Sequence, residues 1–172
     1  TKITTAGPAV TDAQNTRSAN WVDANNDGLL DLFVCNQFGQ NLLHLNLGNG
    51  AFGSQPVGSP GYTAWSSNWG DFDNDGDQDL ITIGFWDAES RFYQNDGLGN
   101  LTDITNFFPN IFPLATNGSN SNGVIFVDED NDGWLDLHIT QPGPGVADYF
   151  YHNLGAPCKS WLEIKLTGTE SN

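Results

Sequence analysis

Short apolar runs recur along the chain between stretches rich in Gly, Asn, Asp and Ser. Leu32-Phe33-Val34-Cys35, Leu80-Ile81-Thr82-Ile83 and Leu137-His138-Ile139-Thr140 are rich in β-branched or aromatic residues and bounded by turn formers, so each predicts a strand. No stretch sustains a 3.6-residue period, and almost no helix is expected. Each run follows a small-polar stretch leading into another strand: Ser18-Ala19-Asn20-Trp21-Val22, Ser66-Ser67-Asn68-Trp69-Gly70, and Asn122-Gly123-Val124-Ile125-Phe126-Val127. A third strand follows each, Asn41 to Asn46, Arg91 to Asn95 and Tyr149 to Asn153. Gly-rich turns then lead to outer strands at Ala51 to Gly53 and Leu101 to Thr105.

Between the first two strands of every unit lies the same phrase. It reads Asp23-Ala24-Asn25-Asn26-Asp27-Gly28-Leu29-Leu30-Asp31, then Asp71-Phe72-Asp73-Asn74-Asp75-Gly76-Asp77-Gln78-Asp79, then Asp128-Glu129-Asp130-Asn131-Asp132-Gly133-Trp134-Leu135-Asp136. Oxygen-bearing side chains stand at positions 1, 3, 5 and 9, with Gly at position 6. Ca2+ takes six to eight oxygens, and alternate residues of a tight loop turn carboxylates and amides toward one point. By analogy with the EF-hand, position 7 (Leu29, Asp77, Trp134) contributes only its carbonyl, which lets Leu and Trp stand there. Gly28, Gly76 and Gly133 suit a bend of positive φ. An EF-hand places Glu at position 12 and enters a helix, whereas Val34, Thr82 and Ile139 stand there and a strand follows. Asx turns alone explain one such phrase, but not three with the same four oxygen positions. Without a cation the clustered carboxylates repel one another.

The phrases begin 48 and 57 residues apart. Four short strands per unit, joined by Gly-rich turns, are the signature of a β-propeller blade. The expected fold is all-β, with about three blades of four antiparallel strands: blade 1 at 16–62, blade 2 at 63–116 and blade 3 at 117–172. Residues 1–15 hold Thr1-Lys2-Ile3-Thr4-Thr5, which resembles Leu101 to Thr105 and reads as the outer strand of a preceding blade or a closing strand. After Asn153 the third unit leaves the pattern, and Trp161 to Leu166 is expected in its outer place. A closed propeller has four to eight blades, and three leave open edges. The expectation is a partial propeller, completed either by more chain or by oligomerisation.

Composition narrows the partners. The chain has 172 residues, 38% of them hydrophobic and 12% aromatic, enough for a folded core. Its formal charge of -16, from 21 acidic against 5 basic side chains, speaks against nucleic acid or an anionic membrane as partner. Eleven of those 21 acids stand at the loop positions, so three bound Ca2+ ions would leave about -10. No segment is apolar enough to insert in a membrane. The sequence has no Met and no signal peptide, and is expected to be a processed or excised piece of a longer precursor. Cys35 and Cys158 either form one disulfide or remain two buried thiols.

Other chemistry is thin. His44, His138 and His152 are scattered on expected strands without companions for a zinc site or a triad. The aspartates that a glycoside hydrolase would need are nearly all claimed by the loops. Trp21 and Trp69 are expected to pack between blades, and Trp65, Trp86 and Trp134 with Phe85 are expected either to do the same or to form sugar-stacking platforms. The segment Phe85 to Arg91 reads as a recognition loop. Asn100 and Asn117 head glycosylation sequons.

The phrases in context, WVDANNDGLLDLFVCN, WGDFDNDGDQDLITIG and FVDEDNDGWLDLHITQ, resemble the FG-GAP and VCBS repeats. Such repeats build the propeller head of integrin α subunits, several fungal lectins and many secreted bacterial proteins. The resemblance covers roughly residues 16 to 155 and implies that the Asp and Asn positions above coordinate Ca2+ between the first two strands of a blade. Asn25 departs by offering a neutral oxygen, which weakens the first site. Lys159 to Asn172 looks like the opening of an ASPIC/UnbV domain. The resulting expectation is a secreted or cell-surface, non-catalytic module that binds about three Ca2+ and engages a protein or glycan in adhesion. The alternatives are a subunit that self-assembles into a filament or ring through open blade edges, and a lectin or polysaccharide-acting module.

Overall fold

The computed structural model describes residues 7, 9, 14–61, 64–84, 90–108, 122–141 and 147–155. Several expectations fall outside them: the strand at Thr1 to Thr5, the loop with Phe85 and Trp86, the sequon at Asn117, Cys158, and the tail with Trp161 to Leu166.

Three antiparallel sheets make up the described chain, as the strand pattern predicts. The first runs in the order β1 (Asn15–Val22), β2 (Asp31–Gln37), β3 (Asn41–Asn46), β4 (Phe52–Val57). The second repeats it with β5 (Ala64–Gly70), β6 (Asp79–Gly84), β7 (Arg91–Asn95) and β8 (Leu101–Asp103). The third holds β9 (Gly123–Val127), β10 (Asp136–Thr140) and β11 (Tyr149–Tyr151), with β10 central. Each is a meander, a propeller-like blade whose successive strands pair with their sequence neighbours. The outer strand of blade 2 is shorter than expected, because Thr105–Phe107 turns into a 3-10 helix. There Thr105 accepts its geometry from Asp103, whose Oδ1 takes the Thr105 backbone N–H at 3.0 Å.

The loops leave the sheets at equivalent rungs, since Val22 pairs with Asp31, Gly70 with Asp79 and Val127 with Asp136. Register therefore places the same residue numbers of every phrase at the same end of every blade. Blades 1 and 2 share a second irregularity: β1 bulges between Thr16 and Ser18, and β5 between Ala64 and Ser66. The extra residues are Arg17 and Trp65, equivalent in the repeat, and the Arg17 guanidinium lies 4.6 Å from the Trp65 ring centroid. That stack accounts for Trp65 at a polar rim.

The core lies between blades rather than within them. Directly opposed residues on neighbouring strands share a face. One face of blade 1, carrying Val22, Phe33 and Leu43, packs on Leu80, Tyr93 and Trp69 of blade 2. The opposite face of blade 2, with Ile81 and Phe92, packs on Leu137, Phe126 and Tyr151 of blade 3. Trp69 meets Phe33 edge-on at 5.6 Å, and Phe126 meets Phe92 at 5.9 Å. Burying each such side chain stabilises the fold by roughly 1.5 to 3 kcal/mol. Trp69 thus packs between blades as expected. Trp21 does not: it occupies the same repeat position but is 59% exposed, because no described blade covers that side of blade 1. Cys35 is a fully buried free thiol, pushed up to about 12 by burial, with a hydrogen bond from Ser67 acting the other way.

Candidate functional site

The three phrases fold into superimposable loops, and the reason is visible in their hydrogen bonds. In the second loop the Asp71 carboxylate accepts the Asp75 N–H at Oδ1 (3.0 Å) and the Gly76 N–H at Oδ2 (3.0 Å). Asp73 also accepts from Asp75 N–H (3.2 Å), and Asp75 from Asp77 N–H (3.0 Å). The first loop repeats this with Asp23, Asn25 and Asp27, and the third with Asp128, Asp130 and Asp132, every distance between 2.8 and 3.3 Å. Side chains at positions 1, 3 and 5 are thereby pinned to one side of the loop with oxygen lone pairs to spare.

Two left-handed residues close each loop. Gly28, Gly76 and Gly133 have φ of 83, 100 and 87°, as the sequence pattern requires. Asn26, Asn74 and Asn131 at position 4 also have positive φ, at 56, 55 and 61°. Asn tolerates that region better than most side chains. Its recurrence at position 4 of all three phrases is the sequence signal for this second bend.

Position 9 differs in kind. Asp31, Asp79 and Asp136 are fully buried. Each accepts two backbone N–H groups, one from loop position 2 and one from the Asn that ends the third strand. For Asp79 these are Phe72 (3.3 Å) and Asn95 (2.9 Å); for Asp31, Ala24 (3.0 Å) and Asn46 (2.7 Å); for Asp136, Glu129 (3.2 Å) and Asn153 (2.8 Å). The closing Asn is a second functional residue hidden from a motif reading. Asn95 donates its amide to Gln78 O (2.9 Å) and across the blade boundary to Ala24 O (2.8 Å). Asn153 does the same to Leu135 O (3.2 Å) and Phe72 O (2.9 Å).

The position-7 side chain also has a task beyond its carbonyl. A Cβ on Gly155 would fall 2.4 Å from the Trp134 ring, and one on Gly97 would fall 2.5 Å from the Asp77 carboxylate. Leu29, Asp77 and Trp134 therefore lie over the glycine two residues past the closing Asn, at Gly48, Gly97 and Gly155, all with positive φ. The third blade keeps the pattern through Gly155, two residues further than the sequence suggests. Asp77 further accepts from Asn26 Nδ2 at 2.7 Å, tying loop 1 to loop 2.

Ligand atoms converge in two of the loops. Asp71, Asp73 and Asp79 each offer an oxygen within 4.8 Å of the others, as do Asp128, Asp130 and Asp132. A third set joins Asp130 and Asp136 to His152, whose Nδ1 is 3.1 Å from Asp136 and whose Nε2 is 3.6 Å from Asp130. His152 therefore stands beside candidate ligands of loop 3, a placement the sequence alone did not indicate. It precedes the closing Asn, where blade 2 has Gln94, which donates to Asp73 at 2.8 Å. Aligning the repeats on that Asn was the signal. In loop 1 no three carboxylates meet the same spacing among the described residues, for Asn25 holds position 3 and its amide donates to Asp27 at 3.0 Å. The donor sets of loops 2 and 3 fit a hard cation, being carboxylate-rich and clustered.

Beside these loops, between blades 2 and 3, lies a cavity of about 580 Å3 walled by Phe72, Phe92, Phe108, Phe126 and Trp134, with Asp73 and His152 at its margin.

Burial gives the loops a pH signature. Asp79 is pushed up to about 7, by burial first and by Asp73 and Asp75 next, against the backbone N–H groups of Asn95 and Phe72. Asp31 is raised for the same leading reason. A carboxylate raised on folding binds more protons folded than unfolded, so its stability term is full below the ordinary range near 4 and is lost as pH rises toward 7. In chelator, thermal melts are therefore expected to show the protein less stable at pH 7.5 than at pH 5.5. With saturating Ca2+ the order reverses, because protons then compete with the ion. A chelated melt that is flat or rises across this range would contradict the assignment.

No curated protein matches the chain. Residues 6–82, which span blade 1, the second loop and most of the strands flanking it, are similar to the family described as FG-GAP-like repeat.

Proposed function

We propose that the chain is a calcium-binding, non-catalytic β-propeller repeat module that works outside the cell in adhesion or in binding a protein or glycan. The observation that carries the reading is the identical loop geometry in three blades, with carboxylates gathered at loops 2 and 3. Ca2+ would be held by the side chains at positions 1, 3, 5 and 9 with the position-7 carbonyl, including those of Asp23, Asn25, Asp27, Leu29 and Asp31 in the weaker first loop. It would neutralise the clustered acids and fasten the first two strands of each blade. Extracellular modules of this kind bind Ca2+ at roughly 10⁻⁴ to 10⁻³ M, matched to the calcium outside cells. A net charge of -16 leaves an acidic surface suited to protein or glycan rather than nucleic acid. We also read Lys159 to Asn172, outside the described residues, as the opening of an ASPIC/UnbV-like domain.

Calorimetric titration of chelated protein with Ca2+ tests this. Two tighter sites and one weaker are expected, and Asn25→Asp should bring the weak site toward the others. Absence of binding up to several millimolar Ca2+ would refute the reading.

A further inference from the structure

Loops 2 and 3 are alike in their carboxylates, but the residue that precedes the closing Asn differs in every blade. It is Leu45 in blade 1, Gln94 in blade 2 and His152 in blade 3. In blade 2 the Gln94 amide donates to Asp73 Oδ2 at 2.8 Å, an ordinary hydrogen bond to loop position 3. In blade 3 His152 Nε2 faces the corresponding oxygen, Asp130 Oδ2, at 3.6 Å. That is too long for a hydrogen bond. It is close to the roughly 3.4 Å that separates two donors set about 2.1 Å from one ion at tetrahedral angles.

The other ring nitrogen fixes how the imidazole is used. His152 Nδ1 stands 3.1 Å from Asp136 Oδ1, and Asp136 is fully buried, held by the backbone N–H groups of Asn153 and Glu129. An ionised carboxylate only accepts, so the nearer one takes the Nδ1 proton and the Nε2 lone pair of the neutral ring is left facing Asp130. Two electron-rich atoms so placed are drawn together by a cation between them. Metal-binding histidines are oriented in this way, with one nitrogen on the ion and the other donating its N–H to a carboxylate. Asp130, Asp136 and His152 each offer a donor atom within 4.8 Å of the others, and Asp130 belongs also to the set with Asp128 and Asp132.

We propose that loop 3 differs from loop 2 in the metal it selects: His152 Nε2 and Asp130 hold a borderline divalent ion, of which Zn2+ is the type, in preference to Ca2+. This rests on reading loop 3 as a cation site, and changes the ion that site prefers. Imidazole nitrogen suits Zn2+ and its neighbours in the transition series, whereas oxygen-only shells suit Ca2+. Loop 2 has an amide in the corresponding place, already spent on Asp73, and keeps Ca2+. Asp136 orients the ring and Asp130 is shared, so the two ions compete for loop 3, which takes Ca2+ when no borderline ion is present. Asp130 and His152 both lie at the surface, which leaves the path of an entering ion open.

The test uses the full chain in millimolar Ca2+, titrated with Zn2+ by calorimetry while the histidine ring nitrogens are followed by NMR. Wild type is expected to take up one Zn2+ with a shift of the His152 Nε2 resonance. His152→Gln gives blade 3 the residue of blade 2, and should weaken Zn2+ by about tenfold or more while Ca2+ affinity stays within about threefold. The reciprocal Gln94→His places an imidazole beside Asp73 and should add a second Zn2+ at loop 2, which keeps the test decisive if His152→Gln melts below wild type. Equal Zn2+ affinity in His152→Gln, as when His138 with Asp148 holds the ion, overturns the proposal. So does a wild type that takes no Zn2+ because the His152 ring carries two protons, and so does Gln94→His without a gained site. Ca2+ titration of the same proteins is read separately: Zn2+ uptake without Ca2+ binding would refute the calcium reading alone, and Ca2+ binding without Zn2+ uptake would refute only this one.

Discussion

Stripping calcium is expected to lower the melting temperature by roughly 10 to 20 °C. A ligand at 100 times its dissociation constant adds about 2.7 kcal/mol per site, so two saturated sites add about 5 kcal/mol. For a chain of this length each kcal/mol moves the midpoint by about 2 to 4 °C. The shift arises because the metal-free loops hold converging carboxylates, such as Asp71 with Asp73 and Asp79, that repel one another. It should disappear progressively as Ca2+ is titrated back, and Mg2+ should restore little of it, since Mg2+ demands a tighter octahedron and sheds its water reluctantly. Thermal melts followed by circular dichroism in chelator and in about 10 mM Ca2+, a hundredfold above a dissociation constant of about 10⁻⁴ M, measure it. Superimposable melts would remove the metal from the account of this fold.

Asp79→Ala is expected to be the most damaging single change in a loop. It removes the acceptor for the Phe72 and Asn95 N–H groups at a fully buried position, and it takes an oxygen from the cation site. Leaving two buried backbone N–H groups without their acceptor, at about 1 to 3 kcal/mol each, costs about 2 to 6 kcal/mol even without metal. Asp79→Asn separates the two roles. Asn keeps one uncharged acceptor oxygen where Asp79 takes Asn95 N–H at Oδ1 and Phe72 N–H at Oδ2, so it retains one of the two bonds. In chelator Asp79→Asn should therefore melt closer to wild type than Asp79→Ala does, yet the stabilisation by Ca2+ should shrink in both. Equal melts for the two variants in chelator would show that the backbone bonds matter little.

Much of the architecture was legible because a repeat states its own boundaries. A loop of fixed oxygen pattern between two short apolar runs, seen three times, marks where strands begin, and β3 and β7 run over the predicted residues. The loop conformation was equally local: the hydrogen bonds that positions 1, 3 and 5 accept from the loop backbone span two to five residues. What escaped was set by residues far apart in sequence. The closing Asn lies 71 residues from the Ala24 carbonyl it holds. His152 reaches Asp130 only because β11 lies beside β10.

The sequence by itself determined the all-β class, the blade as the repeating unit and the loop conformation, because each depends on local alternation, turn chemistry and positive φ. Which side of each strand is core was decided only by tertiary structure. Trp21 and Trp69 are the same residue in the same local phrase, but one lies against Phe33 of the preceding blade and the other against solvent. Burial belongs to the join between blades, and a join needs a neighbour that no single repeat encodes.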